Sequence, residues 1–467
     1  MRATFHLKTL AVAIATISVA TMTNAAGLDR SGQDTTAFFQ DGTYAEAVYT
    51  YIDADVSGFD SANASPTSNN YIKGGATGDI AESYDFFRYG VKADINDTFS
   101  VGVLYDEPFG ASAEYTGDSR FVSKGDGNAI LTDLTGLNAA GVTAQIGTLT
   151  AAAGNPAATQ AQRDAAIAGI TALRTAQALA GAEVANAGES TKVEVRSNNL
   201  TAILGMKLGA NKNIQIYGGP VAQRIEADTR LRGTAYGPAT GYTSRTSPDT
   251  SYGYIAGVAY NIPEIALKAA LTYRSEIEHT SQTYEVYPLA PVLSGGVLPS
   301  TRSSEIETTT PKSVNFDFQT GLNPTTLATA KVRWVPWGDF SIVPPLYTDA
   351  SKGRFPDGLA LVDYDDDQWQ VEVGVAKRIA PELAVSGTVG WDSGAGDETT
   401  SLGPIDGYYS LGLGAKYNVT ENWAVSAGGK YLWFGDAKGK LPTGKLVGDF
   451  QDNDGYILGL KLSYQDK

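Results

Sequence analysis

The chain has 467 residues, 42% of them hydrophobic, with a formal net charge of −16, no cysteine and two histidines. No apolar run of about eighteen residues exists outside the N-terminus, which excludes a membrane-spanning helix, while the acidic balance excludes nucleic acid as a partner and the lack of cysteine excludes disulfides and thiolate metal centres. A single large β-structure fits what remains, since 52 glycines and 25 tyrosines suit strands, turns and aromatic interfacial belts.

Taken in chain order, Arg2, Lys8, the apolar stretch Leu10 to Ala20 and Thr23-Asn24-Ala25 form an export signal over residues 1–25. The mature chain is expected to begin at Ala26 with a charge of −18, from 33 basic against 51 acidic residues. Residues 26–42 carry Phe38 and Phe39 beside Gln40 and Asp41, and suit either a plug inside a barrel or a frayed terminus. From residue 43 to 467 the pattern predicts fourteen strands, near 43–53, 83–94, 97–108, 192–209, 212–230, 249–261, 264–286, 308–320, 325–338, 368–379, 382–392, 406–418, 421–434 and 453–464. An even count suits closure of an antiparallel barrel. Tight connections such as Ile95-Asn96-Asp97 and Asn418-Val419-Thr420 alternate with long ones such as 54–82, 109–191, 287–307 and 435–452. Short turns belong on the periplasmic side and long loops outside, so this rhythm gives an orientation and puts both termini in the periplasm.

The strands alternate. Tyr409, Leu411, Leu413, Ala415 and Tyr417 oppose Ser410, Gly412, Gly414 and Lys416, and Tyr456, Leu458, Leu460, Leu462 and Tyr464 oppose Lys461 and Ser463. The apolar rows face lipid and the tyrosines at their ends mark the interfaces. Arg88, Lys92, Lys207, Lys268, Arg274, Lys331, Arg333, Lys416, Lys430 and Lys461 fall on the polar face, as they must when a charge on the lipid side costs roughly 2–4 kcal/mol. Residues 128–187 break this pattern. They are alanine-rich with Ile130, Leu134, Leu137 and then Ile167, Ile170 and Leu173 at helical spacing, and predict a helical hairpin inserted in an extracellular loop and interrupted at Gly154-Asn155-Pro156.

Little in the chain supports catalysis, cofactors or metals. His279 is the single histidine left after export, so an acid-base triad could be built only around it. The stretch 439–445 has phosphate-loop glycines and lysine, but Leu446 replaces the required hydroxyl, and near Asp452 to Gly455 no glutamate closes a calcium loop. No catalytic, cofactor or metal residue is assigned. A general water-filled porin and an outer-membrane enzyme stand as the alternatives to a hydrophobic-substrate channel.

Several stretches resemble the FadL/TodX (OMPP1) outer-membrane transporters of long-chain fatty acids and other hydrophobic compounds. They are Ala26-Gly27, Tyr51 to Gly58, Tyr105 to Ala111, Tyr217 to Pro220, Ala270 to Ile277, Val332-Arg333-Trp334 and Leu402 to Tyr408. The resemblance implies an all-β fold: a closed antiparallel transmembrane barrel of about fourteen strands with an N-terminal hatch. It implies passive uptake by a monomer in the outer membrane, among lipid and lipopolysaccharide, through an outer apolar groove, a pocket above the hatch and a side exit where one strand kinks. Carried over by position, Ile130, Leu134 and Leu137 would line the groove and Arg224 would be an inward arginine near the head group. Arg274, Arg333, Phe38 and Phe39 complete the candidate substrate contacts. The arginines could instead pair with lumen acids such as Glu372. Two departures stand out, the absence of the family's Asn-Pro-Ala in the hatch and the Tyr464-Gln465-Asp466-Lys467 end in place of a terminal aromatic.

Overall fold

The computed structural model describes residues 28–466 apart from 64, 66, 67 and 397, so the export signal and the Ala26-Gly27 start lie outside the described residues. Lipid-facing residues alternate with lumen-facing ones along fourteen strands among the described residues, each antiparallel to its neighbours. These are β1 (Thr43–Asp55), β2 (Tyr84–Asp94), β3 (Phe99–Asp106, resuming at Gly110–Glu114), β4 (Lys192–Leu208), β5 (Ile214–Arg230), β6 (Thr243–Ile262) and β7 (Leu267–Arg274, resuming at Ile277–Val286). They continue as β8 (Thr301–Thr310, resuming at Ser313–Asn323), β9 (Thr326–Val335), β10 (Gln368–Arg378), β11 (Leu383–Asp392), β12 (Asp406–Asn418), β13 (Trp423–Gly435) and β14 (Asp454–Asp466). Strand β1 pairs with both β2 and β14, which closes the cylinder and leaves no edge.

The alternation sorts side chains as the pattern requires. Leu458, Leu460 and Leu462 are about half exposed toward lipid, whereas Lys461, Lys416, Lys92 and Arg88 point into the lumen and are 5% exposed or less. Aromatic residues bracket the apolar band, with Trp369, Trp391, Tyr409, Trp433 and Tyr456 exposed near the outer end. Two strands begin earlier than their apolar rows suggest, at Thr243 and at Thr301. Thr301–Thr310 pairs residue by residue with Ile277–Val286 above the lipid, where a strand needs no apolar face and so leaves no hydropathy signal.

Three helices occupy the insert where a hairpin of two was expected: α1 (Gly127–Thr135), α2 (Ala139–Ala153) and α3 (Gln160–Ala185). Each start is capped: Asp126 accepts from Ala129 N at 2.9 Å, Asn138 from Gly141 N at 2.9 Å, and Thr159 with Gln162 forms a reciprocal capping box. Gly136 ends α1 at φ +73°, and this left-handed stop makes the extra break. Leu131, Val142, Ala176 and Ala180 pack the three helices together.

A second apolar core lies over the barrel mouth. It joins Leu28 near the N-terminus to Phe109, Tyr115, Phe121, Tyr242, Trp337, Tyr347 and Phe450, so the long loops fold onto the lumen as a compact cap. Glu285 ties one of them down by accepting from the backbone N–H groups of Leu346 and Tyr347 at 2.8 and 3.0 Å and from the Tyr242 hydroxyl at 2.9 Å.

Leu460 sits midway between Tyr456 and Tyr464 on the lipid face. Leu460→Arg is expected to cost about 2–4 kcal/mol, measured as a lower urea midpoint for unfolding from lipid vesicles, while Leu460→Val stays close to the parent.

Candidate functional site

Residues from Leu28 to Asp41 enter the lumen and pack there as a hatch, nearly all of them buried. Three contacts anchor this segment. The Asp29 carboxylate accepts from Arg333 Nε at 2.6 Å and Nη2 at 2.9 Å, and Arg333 also donates to Asn315 at 2.8 Å and Gln33 at 3.3 Å. Asp34 lies 3.1 Å from Arg88 and 3.5 Å from Lys331. Phe38 is wedged into the wall, 1% exposed and packed on Tyr217 at 5.8 Å between centroids. A Cβ on Gly102 or Gly205 would come within 2.7 or 2.8 Å of its ring, so the wall must be bare at both positions to seat it.

These contacts revise two expectations. Arg333 is held by the hatch; Glu372, the lumen acid named as its possible partner, is paired with Lys430 instead. Arg224 does not point inward. It is exposed on the outer face of β5, while its neighbour Gln223, 1% exposed, takes the lumen position and accepts from the Thr310 hydroxyl at 2.5 Å. Side chains on a strand change face at every residue, so matching by local sequence alone, one residue out of phase, selects the wrong face.

Arg274 does face inward and is 4% exposed. It donates to Thr201 at 3.1 Å, its Nε has no hydrogen-bond partner, and no carboxylate lies within ion-pair distance among the described residues. The Asn199 amide, 1% exposed and without a partner at either end, shares a cavity of about 10 Å³ with it. A buried guanidinium beside an unsatisfied amide is a ready receptor for an anionic or carbonyl oxygen.

Both nitrogens of His279 are already engaged. Nδ1 lies 3.0 Å from Asp249 and Nε2 lies 3.0 Å from Gln223, the serine nearest the acid, Ser251, bonds Asp249 itself, and burial holds the imidazole below its ordinary pKa. This is a structural network without the serine-to-histidine contact that nucleophilic catalysis needs.

Outside the barrel, α1, α2 and α3 meet the other loops around a groove of about 1100 Å³. Ile130, Leu134 and Leu137 all line it, joined by Leu149, Leu173 and Leu179. Sequence reasoning missed its cations. Arg120, Arg354 and Lys445 line the same groove, with Asp133 as the acid there. Burial pushes the Lys445 ammonium below its ordinary pKa and the neighbouring Arg120 adds to this, so an arriving anion would be favoured beside the pair. Lys445 belongs to the stretch set aside as a chance phosphate loop; no periodicity marks three cations drawn from three separate loops.

Inward from the groove is a small apolar cavity of about 50 Å³ above the hatch, touched by Leu28, Val193, Val195, Ile306 and Leu402. Beside it the wall is incomplete. Five residues of β3 from Asp106 to Gly110 stand opposite four of β4 from Asn199 to Arg196, and β3 pairs with β2 only from Tyr105 to Ser100. Such a bulge bends the strand away from its other neighbour. The resulting side opening of about 580 Å³ is rimmed by charges, among them Glu82, Asp85, Glu107, Lys192 and Arg196. Ala111 lines both this opening and the apolar cavity. The hatch crosses the break: Arg30 N donates to Pro108 O at 2.7 Å, Gly110 N donates to Leu28 O at 2.8 Å, and the Arg30 guanidinium stacks on Tyr84 at 4.0 Å, 3.6 Å from Glu107.

The family model for outer membrane protein transport proteins (OMPP1/FadL/TodX) matches residues 34–465. No curated protein sequence matches. Among solved structures, a FadL homologue of Pseudomonas aeruginosa is similar at 13% identity and TM-score 0.62, over 98% of this chain and 97% of that one. The toluene transporter TodX of Pseudomonas putida is similar at 12% and 0.52, over 96% and 94%. The toluene transporter TbuX of Ralstonia pickettii is similar at 10% and 0.50, over 92% and 91%. At these identities the likeness is one of fold.

Asp29→Asn strands a buried guanidinium and is expected to weaken hatch docking by about 3–5 kcal/mol, read as faster protease cleavage within the hatch. Adding Arg333→Gln removes the unpaired charge and should restore much of the protection.

Proposed function

Because this chain belongs to the OMPP1/FadL/TodX family of outer-membrane channels for hydrophobic compounds, we propose that its cargo is an amphipathic organic acid of the long-chain fatty-acid kind. The observation that carries this reading is the pairing, in one groove, of seven leucine and isoleucine side chains with Arg120, Arg354 and Lys445. A simple hydrocarbon would use only the first set. An acid uses both, its tail gaining about 25 cal/mol for each Å² withdrawn from water and its carboxylate gaining charge-assisted hydrogen bonds.

Lipopolysaccharide keeps apolar solutes from dissolving through the outer leaflet, and a series of modest apolar sites offers a route with no energy input. From the groove the cargo passes to the cavity above the hatch; Arg274 Nε and the Asn199 amide, unpartnered in a separate small cavity of the lumen, offer a further polar stop for its head group. At about 50 Å³ the cavity above the hatch must widen to take a chain, and Leu28 ties the widening to hatch movement. Exit is sideways at the β3 break, past Ala111. The charged rim there suits a head group that stays wet while the tail slides into lipid. Phe38 and Phe39 act in this scheme by seating the hatch. The protein works as a monomer, its apolar band meeting lipid and its outer rim meeting lipopolysaccharide.

The test compares uptake of palmitate and of toluene by cells carrying the parent or the Arg120→Gln/Lys445→Gln variant. Palmitate uptake at low concentration should fall about tenfold, the equivalent of ~1.4 kcal/mol, with toluene uptake unchanged. An equal loss for both would remove the carboxylate from the reading.

A further inference from the structure

A separate cavity of about 360 Å³ opens beneath the hatch on the periplasmic side. Its walls include the hatch residues Phe39, Gln40 and Asp41 and lysines from the ends of several strands. Most charges in this half of the lumen are matched. Lys92 and Lys207 share Asp94 at 2.8 and 3.1 Å, Lys331 lies 3.5 Å from Asp34 and 3.8 Å from Asp317, and Glu372 pairs with Lys430. Two lysines are different. Lys212 donates to the Thr98 hydroxyl at 2.7 Å and Lys268 to the Phe39 carbonyl at 2.6 Å, and neither has a carboxylate within 4.0 Å among the described residues. An ammonium carries three donors, so each has capacity for another acceptor. Asp41 and Asp97 also line the mouth, which keeps it from being a bare cationic trap and sets the attraction for an anion at a modest level.

Next to these lysines is an aromatic surface. Phe39 packs edge-on against Tyr217 at 5.2 Å and against Phe38 at 5.9 Å, and Ala259, Ala270 and Ala376 leave the space before it unfilled. The size lies within the range of small-molecule pockets. The geometry points to a periplasmic binding site for an organic acid with an apolar or aryl body, its carboxylate on Lys268 and Lys212 and its body on Phe39. This site is distinct from the extracellular groove, and the hatch stands between them. An acid bound here uses a free donor of Lys268, whose bond to the Phe39 carbonyl stays in place.

The probe is para-benzoylbenzoate, a photoreactive aryl acid, irradiated with the full chain and followed by peptide mapping. Labelling is expected on the peptide carrying Phe39, reduced about fivefold or more, the equivalent of ~1 kcal/mol, by Lys268→Gln/Lys212→Gln. It should be retained in Lys268→Arg and be weak with the neutral para-benzoylbenzamide. Heat-modifiable gel migration verifies that each variant is a folded barrel. Equal labelling by the amide, or labelling that ignores the double lysine change, overturns the site. Arg120→Gln/Lys445→Gln, which tests the extracellular groove, should leave this labelling unaltered, so the two readings fail separately.

Discussion

Lipid accepts neither an unpaired backbone amide nor an unscreened charge, and the architecture follows from that restriction. Strands must close on themselves, as β1 does by pairing with both β2 and β14. Strand cations level with the lipid must then turn inward. Inside, Arg88, Lys331 and Arg333 need anions, and the hatch supplies Asp34 and Asp29 to them. The hatch is thus the counter-ion of the wall as well as the stopper of the lumen, and its position is set by charge pairing on one side and by the Phe38 wedge on the other.

The same restriction explains the junction between hatch and side opening. A bulge in β3 leaves backbone groups at Pro108 and Gly110 turned away from β2, and burying them unpaired would be costly. Leu28 and Arg30 of the hatch bond to those groups. The segment that fills the lumen thus also completes the hydrogen bonding of the broken wall. Above the membrane the restriction lifts. There Arg120, Arg354 and Lys445 can stand against a leucine surface, because water reaches their charged ends while the apolar faces of the helices collect beneath.

Much of the fold was legible in the sequence because the lipid-facing period of two is enforced by a large free-energy cost. Leu458, Leu460 and Leu462 against Lys461 could be placed on their faces from the pattern alone, as could the orientation from loop lengths and the helical character of the insert. The apolar half of the groove was legible too, since Ile130, Leu134 and Leu137 repeat at helical spacing. What tertiary structure decided was everything that depends on which distant segments meet. Arg224 lies outside because phase along β5, set by pairing with β4 and β6, outweighs local resemblance. Arg333 is claimed by Asp29 across 304 residues of chain, and the groove cations come from loops with no periodic signal. A strand's period is written locally in each residue's preference for fat or water; the partner of a buried charge is chosen by closure of the whole cylinder, which no local stretch contains.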